Sequence, residues 1–262
     1  MIWGVALSFT WLRLVGDARR LRFRARWATR LLRILGIRLE ADLTHAAPGV
    51  LLVANHISWL DILVINAVLP AAFVSKEEIR HWPVIGPLAV RNDTVFLRRG
   101  SRGHARIINA EIAGLLAQGK HVAVFPEGTT TDGHSLLHFH AALLQPALAA
   151  GRPVLPLAIS YWEADGQRSL APRYDGDISF GECLHAILGR KRLVARLVTT
   201  PLLGISGEDR RQVAAAAREA IASAAGLPLA HNRPGTPDDL PGEPPSSGRP
   251  TGNPNPAPAD SA

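Results

Sequence analysis

A histidine and an aspartate stand five positions apart in Asn55-His56-Ile57-Ser58-Trp59-Leu60-Asp61, where an apolar run passes into a helix-like one. A neutral imidazole titrates near working pH and can take a proton from a hydroxyl. A carboxylate on its other nitrogen fixes the tautomer and supports the cation that forms. On one continuous helix an offset of five turns two residues about 140° apart. The pair can therefore meet only if His56 sits in the turn before a helix and Asp61 in its first turn. The same residues admit a second reading, because Ser58-x-x-Asp61 is also a helix-capping pattern.

Three further blocks carry functional side chains. The run Thr94-Val95-Phe96-Leu97 closes on Arg98, Arg99 and Gly100. An arginine at a strand's carboxyl end suits a phosphate, since its planar fork makes two charge-assisted bonds. A solvated strand end explains it equally well. The run Val122-Ala123-Val124-Phe125-Pro126 enters the loop Glu127-Gly128-Thr129-Thr130-Thr131-Asp132-Gly133. Its N–H groups and hydroxyls can hold an oxyanion or an array of sugar-like hydroxyls, or form a plain turn. Glu127 repels phosphate, which leaves it to pair with Arg98 or to accept from glycerol hydroxyls. Pro156, within Val154–Ile159, reads first as fold architecture and second as lining for an acyl or glycerol pocket. Asn55 is a further candidate for that lining.

These residues need a scaffold. Strands are expected at 50–54, 73–75, 94–97, 121–125, 154–159 and 193–199, and helices at 58–69, 103–118, 136–150 and 208–225. Such alternation specifies an α/β domain, a layered mixed sheet flanked by helices. The 262 residues carry a net charge of +7. The first 16 residues are apolar apart from Arg13, short of the roughly 20 that a spanning helix needs. Residues 17–40 mix arginines with Leu21, Trp27, Leu31, Leu32 and Leu35 at helical spacing. Together they read as a membrane-associating helical segment over residues 1–45, lying on anionic lipid; an ordinary helix packed on the core is the other reading. The catalytic domain is placed at 46–226. The Pro/Gly-rich remainder, 227–262, reads as a disordered tail. Cys183 is the single cysteine, so no intramolecular disulfide forms, and it reads as structural. His134, His138 and His140 could bind zinc, which would suit a metal hydrolase. A non-catalytic membrane-binding protein is another reading; no module points to nucleic acid.

The four blocks, in order and at these separations, resemble the 1-acylglycerol-3-phosphate O-acyltransferase (lysophospholipid acyltransferase) family over roughly residues 48–200. Its N-H-x4-D motif stands as Asn55 to Asp61, and its second motif as Val95-Phe96-Leu97-Arg98. Its F-P-E-G-[ST] motif stands as Phe125 to Thr129, and its fourth as the strand around Pro156. The resemblance implies His56 as general base, Asp61 as its orienter, and Arg98 with Glu127, Gly128 and Thr129 at a glycerol-phosphate site. It implies a glycerolphosphate acyltransferase-like fold, an acyl-CoA or acyl-carrier-protein donor, a lysophospholipid acceptor, and neither metal nor cofactor. It also implies the cytoplasmic face of a bacterial inner membrane. Many relatives place a Lys-Gly pair after the third motif; Leu137-His138-Phe139-His140-Ala141 stands here. That and the threonine run look closer to a bacterial subgroup, some of whose members acylate lyso-ornithine lipid.

Overall fold

The computed structural model describes residues 16–77, 80, 94–97, 102–205, 207 and 209–230. In chain order the elements are α1 (Asp17–Ile34), β1 (Ile37–Asp42), β2 (Leu51–Ala54), α2 (Leu60–Val68), β3 (Ala72–Lys76) and β4 (Val95–Leu97). Then come α3 (Arg102–Ala117), β5 (Val122–Val124), α4 (Gln145–Ala150), β6 (Val154–Glu163), α5 (Phe180–Leu188), β7 (Leu193–Thr199) and α6 (Arg210–Ala225). The strands form one seven-stranded sheet in the order β1-β7-β6-β2-β5-β3-β4. Every neighbouring pair is parallel except β6 with β7. The carboxyl ends of β2, β3, β4, β5 and β6 therefore share one edge of the sheet, where such folds place ligands.

Alternation along the strands divides the core into two layers. Val50, Leu52, Ala54, Leu155, Leu157, Ile159 and Tyr161 face a cluster with α1, α2 and α5. Leu51, Val53, Val154 and Ala158 face the other cluster, with α3, α4 and α6. The expected layered α/β architecture is the one found.

Several boundaries differ from the sequence reading. Residues 37–42 are not part of a separate N-terminal segment: Ile37 to Asp42 pair in register with Leu193 to Val198 as an edge strand. α1 is docked rather than detached. Ala28 and Leu32 are buried, Leu31 and Leu35 pack beside them, and the Arg24 guanidinium donates to the Ala71 carbonyl at 2.8 Å. Leu21 and Trp27 instead stay exposed. The helix expected over 136–150 shrinks to a 3-10 turn at Ala141–Leu144 and the short α4. Leu136 is held extended, donating to the Pro228 carbonyl and accepting from the Ala230 N–H. That pairing keeps residues 227–230 in the domain, where the tail was expected to have begun. α5 was not expected; its capping box, Ser179 with Glu182, was the available signal. Residues 1–15 of the apolar segment and 231–262 of the tail lie outside the described residues.

Candidate active site

β2 ends at Ala54, and the chain turns through Asn55 to Trp59 before α2 starts at Leu60. This break in the helical geometry lets residues five apart face each other. His56 Nδ1 lies 2.8 Å from Asp61 Oδ2. The same oxygen accepts the Ile57 and Ser58 N–H groups at 2.7 and 2.9 Å. Asp61 Oδ1 accepts the Tyr161 hydroxyl at 2.6 Å. The Asp61 side chain is fully buried, and a buried carboxylate is tolerated only with such partners. The capping pattern is realised in its reciprocal half. Asp61 reaches back to the Ser58 N–H, while the Asp61 N–H goes to the Ser58 carbonyl and not to the Ser58 hydroxyl.

The imidazole is held at one face and at Nδ1. Phe125 stacks on it with ring centroids 3.9 Å apart and planes 11° from parallel. Behind it, the His56 N–H donates to Glu127 Oε1 at 2.8 Å, and the His56 carbonyl accepts the Thr131 N–H at 2.9 Å. Its side chain remains 20% exposed. Nε2 has no partner among the described residues, so the free nitrogen is the one that solvent or a substrate can reach.

Glu127 faces inward. It is 4% exposed, and its second oxygen accepts the Leu137 N–H at 2.9 Å. Burial pushes its carboxyl up, against the lowering effect of those two N–H bonds and of His56. The arginine that feels its charge among the described residues is Arg218 of α6. Glu127 thus bridges two backbone segments, a role the sequence did not suggest. Arg98 itself lies outside the described residues. Gly128 and Thr129 are exposed in the loop between Glu127 and Thr131, both of which bond to the His56 backbone. Gly128 has φ 71°, and a β-carbon there would stand 3.3 Å from the His140 ring, so the turn requires glycine.

Asn55 and Pro156 both have structural roles in the sheet. The Asn55 amide donates to the Ile159 carbonyl at 2.9 Å and accepts its N–H at 2.8 Å, extending the strand pairing in place of backbone. Pro156 sits inside the sheet opposite Val53, its carbonyl taken by the Thr200 N–H. Among the described residues no three His, Cys, Asp or Glu side chains stand close enough to hold a metal ion; His138 and His140 meet edge to face instead.

Sequence reasoning missed two members of the site, Tyr161 and the stacking role of Phe125. For Tyr161 a signal existed: in an extended strand, residues 155, 157, 159 and 161 share a face, the one that meets α2.

The family model described as Acyltransferase matches residues 37–160. The 1-acyl-sn-glycerol-3-phosphate acyltransferase of Neisseria meningitidis serogroup B is 42% identical over 163 residues, 62% of this chain and 64% of that one. The lyso-ornithine lipid O-acyltransferase of Pseudomonas aeruginosa is 38% identical over 195 residues, 74% of this chain and 75% of that one. The chain thus spans just under two thirds of the Neisseria relative's length. A solved 1-acyl-sn-glycerophosphate acyltransferase from Thermotoga maritima shares the fold, with TM-score 0.58, 22% identity and coverage of 85% of this chain and 87% of that one.

Proposed function

The chain belongs to the acyltransferase family that includes 1-acylglycerol-3-phosphate and lyso-ornithine lipid acyltransferases, and on that premise we propose that it esterifies the free hydroxyl of a lysophospholipid with a fatty acyl group from acyl-CoA or acyl-carrier protein. The observation that carries this reading is the buried Asp61 holding Nδ1 of a His56 ring whose Nε2 is free. In the proposed step, Nε2 takes the proton of the acceptor hydroxyl as its oxygen attacks the thioester carbonyl. The tetrahedral intermediate collapses with cleavage of the C–S bond. The thiolate leaves and recovers the proton from the imidazolium, which the Asp61 carboxylate stabilises meanwhile. Base catalysis of this kind supplies about 10²–10⁴-fold. The step needs neither metal nor cofactor.

The acceptor proposed is 1-acyl-sn-glycerol-3-phosphate, giving phosphatidic acid, with Arg98 taking its phosphate and the exposed Gly128 and Thr129 beside the glycerol. Lyso-ornithine lipid is the second reading. It is favoured by the Pseudomonas relative, whose similarity extends over more of both chains. The place proposed is the cytoplasmic face of a bacterial inner membrane. No described helix is long and apolar enough to cross a bilayer. The outer side of α1 instead presents Phe23, Trp27 and Ile34 next to arginines, which suits an anionic lipid surface.

The test is to supply purified protein with a panel of lysolipids and isotope-labelled acyl-CoA or acyl-carrier protein, and to identify the lipids formed by mass spectrometry. Labelled phosphatidic acid is the expected product. Labelled ornithine lipid alone would move the acceptor to the second reading, and no labelled lipid with any pair would refute acyl transfer.

A further inference from the structure

Tyr161 lies on β6 beyond the last residue that pairs with β2, on the face that looks toward α2. Its hydroxyl is the sole partner of Asp61 Oδ1 among the described residues, at 2.6 Å. The ring is 2% exposed. Its own backbone is pinned on both sides: Tyr161 pairs with Ala195 of β7, and its carbonyl accepts the Ser169 N–H at 2.9 Å. The donor therefore comes from a rigid strand, not from a loop.

We propose that Tyr161 is a positioning residue of the His56–Asp61 pair: by holding Asp61 Oδ1 from β6, its hydroxyl keeps Oδ2 aimed at the imidazole and limits how much negative charge the imidazole feels. This deepens the acyl-transfer reading and takes the role of His56 from it. Asp61 receives four donors, the His56 ring, two backbone N–H groups and the phenol. Among the described residues only the phenol serves Oδ1. Without it, a fully buried carboxylate oxygen stands unpartnered, and the charge it carried shifts toward the His56 side. Other titratable groups packed around this cluster are Glu127 behind the His56 backbone and Cys183 of α5. Burial first, and the charge of Asp61 second, push the Tyr161 phenol well above its ordinary value, so it stays a donor at every working pH.

Tyr161→Phe tests this, since phenylalanine fills the same space in the core. The His56 ring is titrated by NMR in wild type and variant, a measurement that needs no turnover. The ring is expected to hold its proton more tightly in the variant than in wild type. The acid limb of the kcat profile should move up in parallel, with kcat lower by about tenfold and the donor KM little changed. A ring pKa that is unchanged or lowered in a variant with the wild-type NMR fold would overturn the proposal, whatever the effect on rate. A shifted ring pKa in a protein that transfers no acyl group would uphold the coupling and sink the acyl-transfer reading instead. A structural role alone would lower Tm and leave the ring titration where it was; Tm of the variant is measured alongside.

Discussion

Replacing one oxygen of the Glu127 carboxylate with an NH2 group would turn an acceptor into a donor facing a backbone N–H. Both oxygens are taken, one by the His56 N–H and one by the Leu137 N–H. Glu127→Gln therefore leaves one buried N–H without a partner, a loss of about 1–3 kcal/mol. In a domain of this size, Tm should fall by at least about 2 °C. The sign of its pH dependence follows from burial. A carboxyl raised in the folded state binds its proton more tightly there, so wild type loses stability as pH rises above about 4.3, the unfolded value, through the folded one. The variant lacks that slope. Its deficit against wild type should be largest in acid and smaller at pH about 7, measured by denaturant titration at both. At this scale His56 and Asp61 were legible in sequence, because their offset excludes a shared helix face and leaves one geometry in which they meet. The bridging role of Glu127 was not legible because a sequence shows its charge but not the two N–H groups it faces. Tyr161 was missed because its strand was expected to stop at Ile159.

Among elements, the join between β2 and β6 determines where His56 points. Backbone pairing of the two strands ends at Ala54 with Leu157, and the Asn55 amide continues it to Ile159. Asn55→Ala removes both bonds and leaves a buried N–H and a buried carbonyl on Ile159 alone. It should cost about 2–4 kcal/mol and lower kcat as well, because His56 follows directly; thermal melts and steady-state rates check both. Asn55→Asp keeps the acceptor and loses the donor, so its stability should fall between the two. Six of the seven strands were legible as apolar runs. β1 was not, because Arg38, Glu40 and Asp42 alternate with Ile37, Leu39 and Ala41 at the sheet's edge and read as more of the basic segment before them. The helix expected at 136–150 failed for a different reason. Its apolar spacing is real, but Leu136 bonds to Pro228 and Ala230, far along the chain, and local pattern carries no trace of that.

On the scale of the whole molecule, α1 serves two surfaces. One side is buried on α2 and the sheet through Ala28 and Leu32; the other exposes Phe23, Trp27 and Ile34 with arginines alongside. The first five apolar residues singled out in sequence are divided between these surfaces, which periodicity alone could not apportion. Exposed positions contribute little to folding, within about ±0.5 kcal/mol. Phe23→Asp with Trp27→Asp should therefore leave Tm nearly unchanged while weakening co-sedimentation with phosphatidylglycerol vesicles. Added salt should weaken wild-type binding as well. Equal binding by wild type and variant would place the membrane contact elsewhere.

Acyl transfer at this site turns on whether the His56 imidazole accepts the proton of the attacking hydroxyl. The direct measurement is turnover by purified His56→Ala with a lysolipid and a labelled acyl thioester, alongside its melting curve. A fall in kcat of about 10²–10⁴-fold or more, with Tm close to wild type, is the predicted result. Wild-type turnover by the folded variant would contradict the account.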